Sequence, residues 1–157
     1  MTDALSRTQV FEGTRLKPYV DCCSSQWRAC TCAVKGILTI GSGCNLDEGI
    51  SAVESYFLFS NRMAAAKLDL NREIPWAAGQ LSDARYAVLW DMAYNLGIGR
   101  LLGFKRMLAA IRTENWQAAH DEMLFSDVQT GALTPYRLQV GDRAEKNANV
   151  LLSGEWA

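Results

Sequence analysis

The sequence has a single histidine, His120, no excess charge of either sign and no long apolar run. Each absence removes a class of function. Sixteen Lys and Arg face seventeen Asp and Glu, a formal charge of -1, and both halves of the chain keep that balance. A nucleic-acid partner, which needs a basic surface, is therefore not expected. No stretch approaches the roughly 18 apolar residues of a membrane span, and the first residues show no basic segment followed by an apolar one. Stable membrane insertion is not expected, and synthesis in a cytoplasm is. His120 lies in a stretch of helical spacing, with nothing around it that would complete a Ser/His/Asp or Cys/His nucleophile. Gly41-Ser42-Gly43 is too short for a phosphate-cradling loop. The chain also lacks internal repeats, low-complexity tracts and long linkers.

Apolar residues make up 49% of the chain, enough for one domain with an ordinary core. Their spacing changes along the sequence. Up to Leu46, Gly, Ser, Cys and Thr mix with the β-favouring Val34, Ile37, Leu38, Thr39 and Ile40, which predicts strands and turns, with a short helix ahead of Glu12. From Ser51 the spacing becomes helical, and Ser51 with Glu54 forms a capping box before Tyr56, Phe57, Met63 and Ala64. Ser82 starts a helix that carries Ala84, Val88, Leu89, Met92 and Leu96 on one face to a stop at Gly97, the expected central core helix. Further helices are predicted over Phe104–Arg112, about Glu114–Phe125 and Asp142–Ser153, the last followed by Gly154 as its C′ glycine. Asp127–Gly141 has no clear period and reads as a loop. The expected organisation is one domain over 1–157, with a small α/β lobe over about 10–50 and a helical lobe over about 51–157.

Two carboxyls and a hydroxyl stand out: Glu12 and Asp21 in FEGTRLKPYVD (Phe11–Asp21), and Thr39 in LTIGSG (Leu38–Gly43). Glu12 follows Val10 and Phe11, and a carboxyl among apolar neighbours loses hydration, which keeps it protonated as a general acid must be. Asp21, beyond Pro18, has a polar setting that favours the ionised form. Glycosidic hydrolysis divides its labour in this way: one carboxylic acid protonates the leaving oxygen while a carboxylate activates water or attacks the sugar. Spacing alone does not select this pair from seventeen acids.

The surroundings do. FEGTRLKPYVD followed by TIGSG resembles the catalytic signature of the phage-type lysozymes, muramidases related to T-even phage lysozyme, which typically show EG-x-R-L-x-x-Y-x-D and then T-I-G-x-G-H. The likeness continues through Asp91-Met92-Ala93-Tyr94-Asn95-Leu96-Gly97, Gly103-Phe104, Asn115-Trp116 and Asp142-Arg143-Ala144 to Gly154-Glu155-Trp156. The resemblance implies a lysozyme-like α+β fold, with a small lobe built on a β-hairpin or sheet, a larger helical lobe and a cleft between them. It implies hydrolysis of the β-1,4 bond between N-acetylmuramic acid and N-acetylglucosamine in peptidoglycan, by a monomer that needs no cofactor or metal. Glu12 then matches the general acid, Asp21 the second catalytic carboxylate, and Thr39 the threonine that helps hold the attacking water. Inversion at the sugar carbon is the outcome in the family's prototype.

Tyr94 falls where the family has an aromatic residue near the cleft, and Asn95 follows it; Tyr94 either packs in the core helix or meets a sugar. Arg143 matches a family arginine of the last helix, in an ion pair or in contact with a peptide stem. The resemblance further implies an endolysin that accumulates in a host bacterium's cytoplasm and acts on the wall from the periplasm, released by a separate membrane-permeabilising protein. A secreted antibacterial effector lysozyme uses the same chemistry. A non-catalytic wall-binding homologue is the rival of another class, and intact Glu12, Asp21 and Thr39 argue against it.

This sequence departs from the family's pattern in one place. In the prototype a few residues separate the aspartate from the threonine, whereas here Cys22 to Gly36 intervene, and Cys44 stands where the family usually has histidine. Cys22, Cys23, Cys30, Cys32 and Cys44 have three readings: disulfides that staple a long turn after exposure to an oxidising periplasm, a zinc site with poor ligand spacing, or reduced thiols packed as small apolar groups. Five is odd, so one thiol stays unpaired in a monomer. Cys44 is expected to pair with an insert cysteine or to pack in the histidine's place.

Overall fold

A computed structural model describes residues 15–20, 22, 31–32 and 36–156. Glu12, Asp21, Cys23, Cys30 and the helix expected ahead of Glu12 lie outside the described residues. The architecture is α+β, as the sequence predicts, and the chain divides into two compact units, Met1–Phe57 and Leu58–Ala157.

In the first unit, strands β1 (Arg15–Val20), β2 (Leu38–Gly41) and β3 (Cys44–Asn45) form an antiparallel sheet in that order. The register sets Tyr19 against Thr39 and Val20 against Leu38, then Thr39 against Asn45 and Ile40 against Cys44. Ser42 and Gly43 alone link β2 to β3, and Gly41 and Gly43 take φ of 67° and 82°. A side chain at either would strain that turn, so the two glycines of the TIGSG motif are what allow the tight reversal directly after Thr39. Val20 and Thr39 are buried.

Helix α1 (Ala52–Glu73) begins with the predicted capping box. The Ser51 N–H and hydroxyl both donate to Glu54 Oε2, at 2.8 and 2.7 Å, and the Glu54 N–H donates to Ser51 Oγ at 3.2 Å. The hydroxyl first, and then the N–H, hold the Glu54 carboxyl below its usual pKa, because both bonds favour its charged form.

In the second unit, a short helix α2 (Ala77–Gln80) precedes α3 (Asp83–Leu96), which is the central helix expected from its period. Ala84, Val88, Leu89, Met92 and Ala93 of α3 are buried, and Ser82 caps it by accepting from the Arg85 N–H at 3.4 Å. Around it lie α4 (Ile98–Leu102), α5 (Lys105–Arg112), α6 (Trp116–Leu124) and α8 (Asp142–Ser153). Their buried residues, among them Leu101, Met107, Ile111, Met123 and Leu151, join Leu70 of α1 in one core. Helix α6 starts two residues later than the sequence suggests, because Glu114 has φ 56° and the Asn115 side chain caps the helix by accepting from the Ala118 N–H. Among the described residues, no helix is long and apolar enough to cross a membrane.

The loop expected over Asp127–Gly141 is instead a hairpin and a helix. Strands β4 (Phe125–Asp127) and β5 (Ala132–Leu133) pair antiparallel, and α7 (Pro135–Val140) follows. Thr134 joins the two: its hydroxyl donates to the Met123 carbonyl at 2.8 Å and accepts from the Arg137 N–H at 3.1 Å. Pro135 occupies the first helical turn, where its missing N–H costs nothing. Tyr136 is the one buried residue of α7, so the segment has no apolar period to read.

Gly154 closes α8 with φ 81° and donates its N–H to the Val150 carbonyl at 2.8 Å. A Cβ there would lie 2.9 to 3.0 Å from the Arg85 guanidinium. That guanidinium cannot simply swing away, because it stacks on Trp116 at 3.7 Å and donates to the Leu151 and Leu152 carbonyls at 2.8 and 3.2 Å. Gly154→Ala is therefore expected to destabilise by roughly 1–3 kcal/mol, combining left-handed strain with displacement of the arginine. Equilibrium urea unfolding measures this. Repeating the substitution in an Arg85→Ala background should show a smaller cost, and an equal cost in both backgrounds would refute the clash.

Candidate functional site

Of the residues singled out from the sequence, Thr39 is fixed by the sheet. It is buried, and its hydroxyl donates to the Ile37 carbonyl at 3.1 Å. With the donor committed, Oγ1 offers lone pairs to any partner that approaches. Its cross-strand neighbour Tyr19 is two positions before Asp21, so the insert that separates Thr39 from Asp21 along the sequence does not separate the strands that lead to them. Asp21 itself, like Glu12, lies outside the described residues.

The insert contributes Cys22 and Cys32, both exposed. Cys44 was expected to pair or to pack; it does neither, and carries a free, exposed thiol. It sits opposite Ile40 on β3, an edge strand of the sheet, with only one strand beside it. Among the described residues no group of three or more His, Cys, Asp or Glu is placed to hold a metal ion. His120 neighbours Asp121, with Nδ1 and Oδ1 2.8 Å apart.

In the second unit Tyr94 and Asn95 share one depression, and Asp91 links Asn95 to Arg143. Tyr94 takes the packed position expected of it and is also reachable from outside. It packs against the core and meets Phe59 edge-to-face, centroids 5.5 Å apart, and it also lines an open depression of ≈ 440 Å³. Asn95 lines the same depression, with Arg62, Ala65, Ala66 and Asp69 from α1 and Ala93, Gly97 and Ile98 beyond. The small residues make the hollow, and the amide, carboxylate, guanidinium and ring give it the mixed polar and aromatic character that suits a sugar. Asp69 is not isolated there, since it pairs with Arg72 at 2.8 Å on an exposed surface.

Arg143 is in an ion pair, with Asp91 of α3. Its Nε donates to Oδ2 at 3.1 Å and its Nη2 to Oδ1, a fork-to-fork arrangement. That bond, first, raises the guanidinium's pKa further against the opposing effect of burial. The Asn147 amide donates to Asp91 Oδ2 at 2.7 Å and to the Tyr136 hydroxyl at 3.0 Å, while Asn95 Nδ2 reaches the Asp91 carbonyl at 3.1 Å and Oδ2 at 3.5 Å. Burial pushes the Tyr136 hydroxyl's pKa up, with the Asn147 bond opposing. Asp91 is the hub, and reading the sequence missed it. The signals were its place at the head of the family-like stretch Asp91–Gly97, one turn before Asn95 on α3, and Asn147 one turn after Arg143 on α8.

Residues 9–140 match the family model described as Phage lysozyme. The matched segment includes Glu12, Asp21, Thr39, Tyr94 and Asn95, and stops before Arg143. No curated protein matches the chain.

Proposed function

This chain belongs to the phage lysozyme family, and from that premise we propose that it is a muramidase that cuts the β-1,4 bond between N-acetylmuramic acid and N-acetylglucosamine in peptidoglycan. The observation that carries this reading is the family match over 9–140, which spans both carboxylates and the threonine. Glu12 donates its proton to the glycosidic oxygen as the bond to the muramic carbon breaks. Asp21 takes a proton from water as the water oxygen bonds to that carbon. Thr39 suits the water-holding role chemically. A water that donates to Oγ1 keeps a lone pair for attack, and the Thr39 hydroxyl, already donating to Ile37, is free to accept.

Tyr94, Asn95 and Arg143 are the proposed substrate contacts, with the depression beside Tyr94 taking a sugar ring. The proposed setting is that of an endolysin: a monomer that accumulates in a host's cytoplasm and meets the wall after a separate protein opens the membrane.

The test is product analysis on purified sacculi. Released fragments should carry new reducing ends on muramic acid alone, and proton NMR of fresh product should show the α-anomer, as inversion of a β-linkage requires. Reducing ends on glucosamine, or no soluble product at all, would refute the assignment, and a β-anomer would replace inversion with a covalent route through Asp21.

A further inference from the structure

We propose that a second hollow of the helical unit binds a phosphate monoester carried on an apolar group. The hollow measures ≈ 380 Å³, the size of a small ligand, and shares no residue with the depression beside Tyr94. It forms where α4 gives way to α5. Arg100 lies on the first helix and Lys105 begins the second, with Gly103 and Phe104 at the bend between them. The Gly103 and Phe104 N–H groups close that bend by donating to the Arg100 and Leu101 carbonyls, each at 3.0 Å. A Cβ at Gly103 would lie 3.0 Å from the Arg100 oxygen, so the bend that sets both cations around one hollow favours glycine.

Most polar groups of the lining are already committed. Arg106 pairs with Glu122 at 2.8 Å and donates to the Ser126 carbonyl at 3.3 Å. The Ser126 hydroxyl donates to the Ala132 carbonyl at 3.1 Å, and the Thr134 hydroxyl to the Met123 carbonyl. Arg100 and Lys105 remain, and neither side chain has an ion-pair or hydrogen-bond partner among the described residues. With Arg106 and Glu122 cancelling, the hollow keeps two positive charges in a chain whose formal charge is -1. Two cations that line one small volume repel each other, and a dianion between them relieves both. A phosphate monoester carries about -1.5 to -2 at pH 7 and has three acceptor oxygens, so it can meet a guanidinium fork and an ammonium together. A carboxylate, with one charge, leaves the second cation unmatched. The remaining wall is apolar, formed by Phe104, Met107, Phe125 and Pro135. Phe104 is held edge-to-face on the buried Tyr136, centroids 6.1 Å apart. Such a wall suits a ring or an acyl stem better than a bare ion.

Isothermal titration with phenyl phosphate tests the inference. Saturable binding is expected, weakened about tenfold in each of Arg100→Gln and Lys105→Gln by the loss of one charge-assisted bond. Benzoate, with the same ring and one charge, should bind about tenfold more weakly than phenyl phosphate, and so should inorganic phosphate, which lacks the ring. Both side chains are exposed, so the variants should fold as the parent does. Amide NMR shifts of the wild-type protein give a second reading and should centre on residues 103–107 and 125–126. Phosphatidylcholine vesicles with and without phosphatidic acid distinguish the sources of the ester. Phosphatidic-acid-dependent sedimentation that phenyl phosphate displaces marks a lipid headgroup as the ligand, and its absence beside phenyl phosphate binding marks a soluble ester. No saturable binding, unchanged affinity in both variants, benzoate as tight as phenyl phosphate, or shifts centred elsewhere would each overturn the inference. Sedimentation with sacculi that falls in both variants would assign the hollow to the wall polymer and overturn it as well.

Discussion

Glu12→Gln is expected to lose about 10²–10⁴-fold in turnover on purified sacculi while folding like the parent. The amide has the carboxyl's shape and keeps an acceptor, but it has no proton to give, so the leaving sugar oxygen must depart as an alkoxide. Water must then supply the proton, and it does so without the advantage of a positioned acid of matched acidity. Binding should persist, so the variant should still sediment with sacculi. The measurement is turbidity loss and reducing-end release side by side with parent protein, with unfolding midpoints compared to exclude a folding defect. Parent-like turnover in a folded Glu12→Gln protein would remove Glu12 from the chemistry and send the search to another acid in the matched segment. Loss of both binding and folding would instead mark Glu12 as structural.

The largest expected effect on stability is that of Met92→Ala. Met92 is fully buried on α3, beside Val88 and Leu89, in the cluster that joins α1, α4, α5, α6 and α8. Removing its thioether chain forfeits burial and leaves a void that close-packed neighbours fill only in part, at about 2–5 kcal/mol. For a chain of this size that corresponds to a midpoint lower by roughly 4–20 °C. Met92→Leu keeps the volume and is expected to cost less than about 1.5 kcal/mol. Calorimetry of the two variants decides the point: equal, small shifts for both would mean that α3 is not the centre of the core.

Much of this architecture is written in local patterns. The apolar face of α3 and the box of Ser51 and Glu54 could be read directly because a buried stripe and a reciprocal pair of bonds each impose a fixed spacing. The hairpin and α7 could not. Their stabilising contact runs from Thr134 to the Met123 carbonyl, eleven positions away, and α7 buries only Tyr136, so neither period nor run betrays them. Thr134 followed by Pro135 was a start signal for a helix, but a helix of six residues has too little sequence after that signal to confirm it.

The candidate site divides in the same way. Glu12, Asp21 and Thr39 stand in short, contiguous stretches of the segment that matches the family model, so a local motif was enough to single them out. Asp91 was not, because an acid on a helix reads as a solvated charge until its partners are known. Those partners, Arg143 and Asn147, lie 52 and 56 positions further on. Only the packing of α3 on α8 turns the three into one unit. Cys44 failed for a related reason. The sequence showed what it replaced, but its accessibility goes with β3 being an edge strand, a property of the sheet and not of the residue.

The hydroxyl of Thr134 also bears on the order in which the chain assembles. An isolated six-residue helix cannot nucleate stably in water, so α7 has no independent existence along the folding route. Its first turn is organised by a side chain whose other bond is to the end of α6. The loop closed by that bond is short, and closing it is fast and entropically cheap. Tyr136 of α7 also accepts from the Asn147 amide of α8 at 3.0 Å, so α7 depends on both neighbouring helices. The hairpin and α7 are thus expected to open together with α6 and α8, although by secondary structure the stretch is a helix, a hairpin and two further helices.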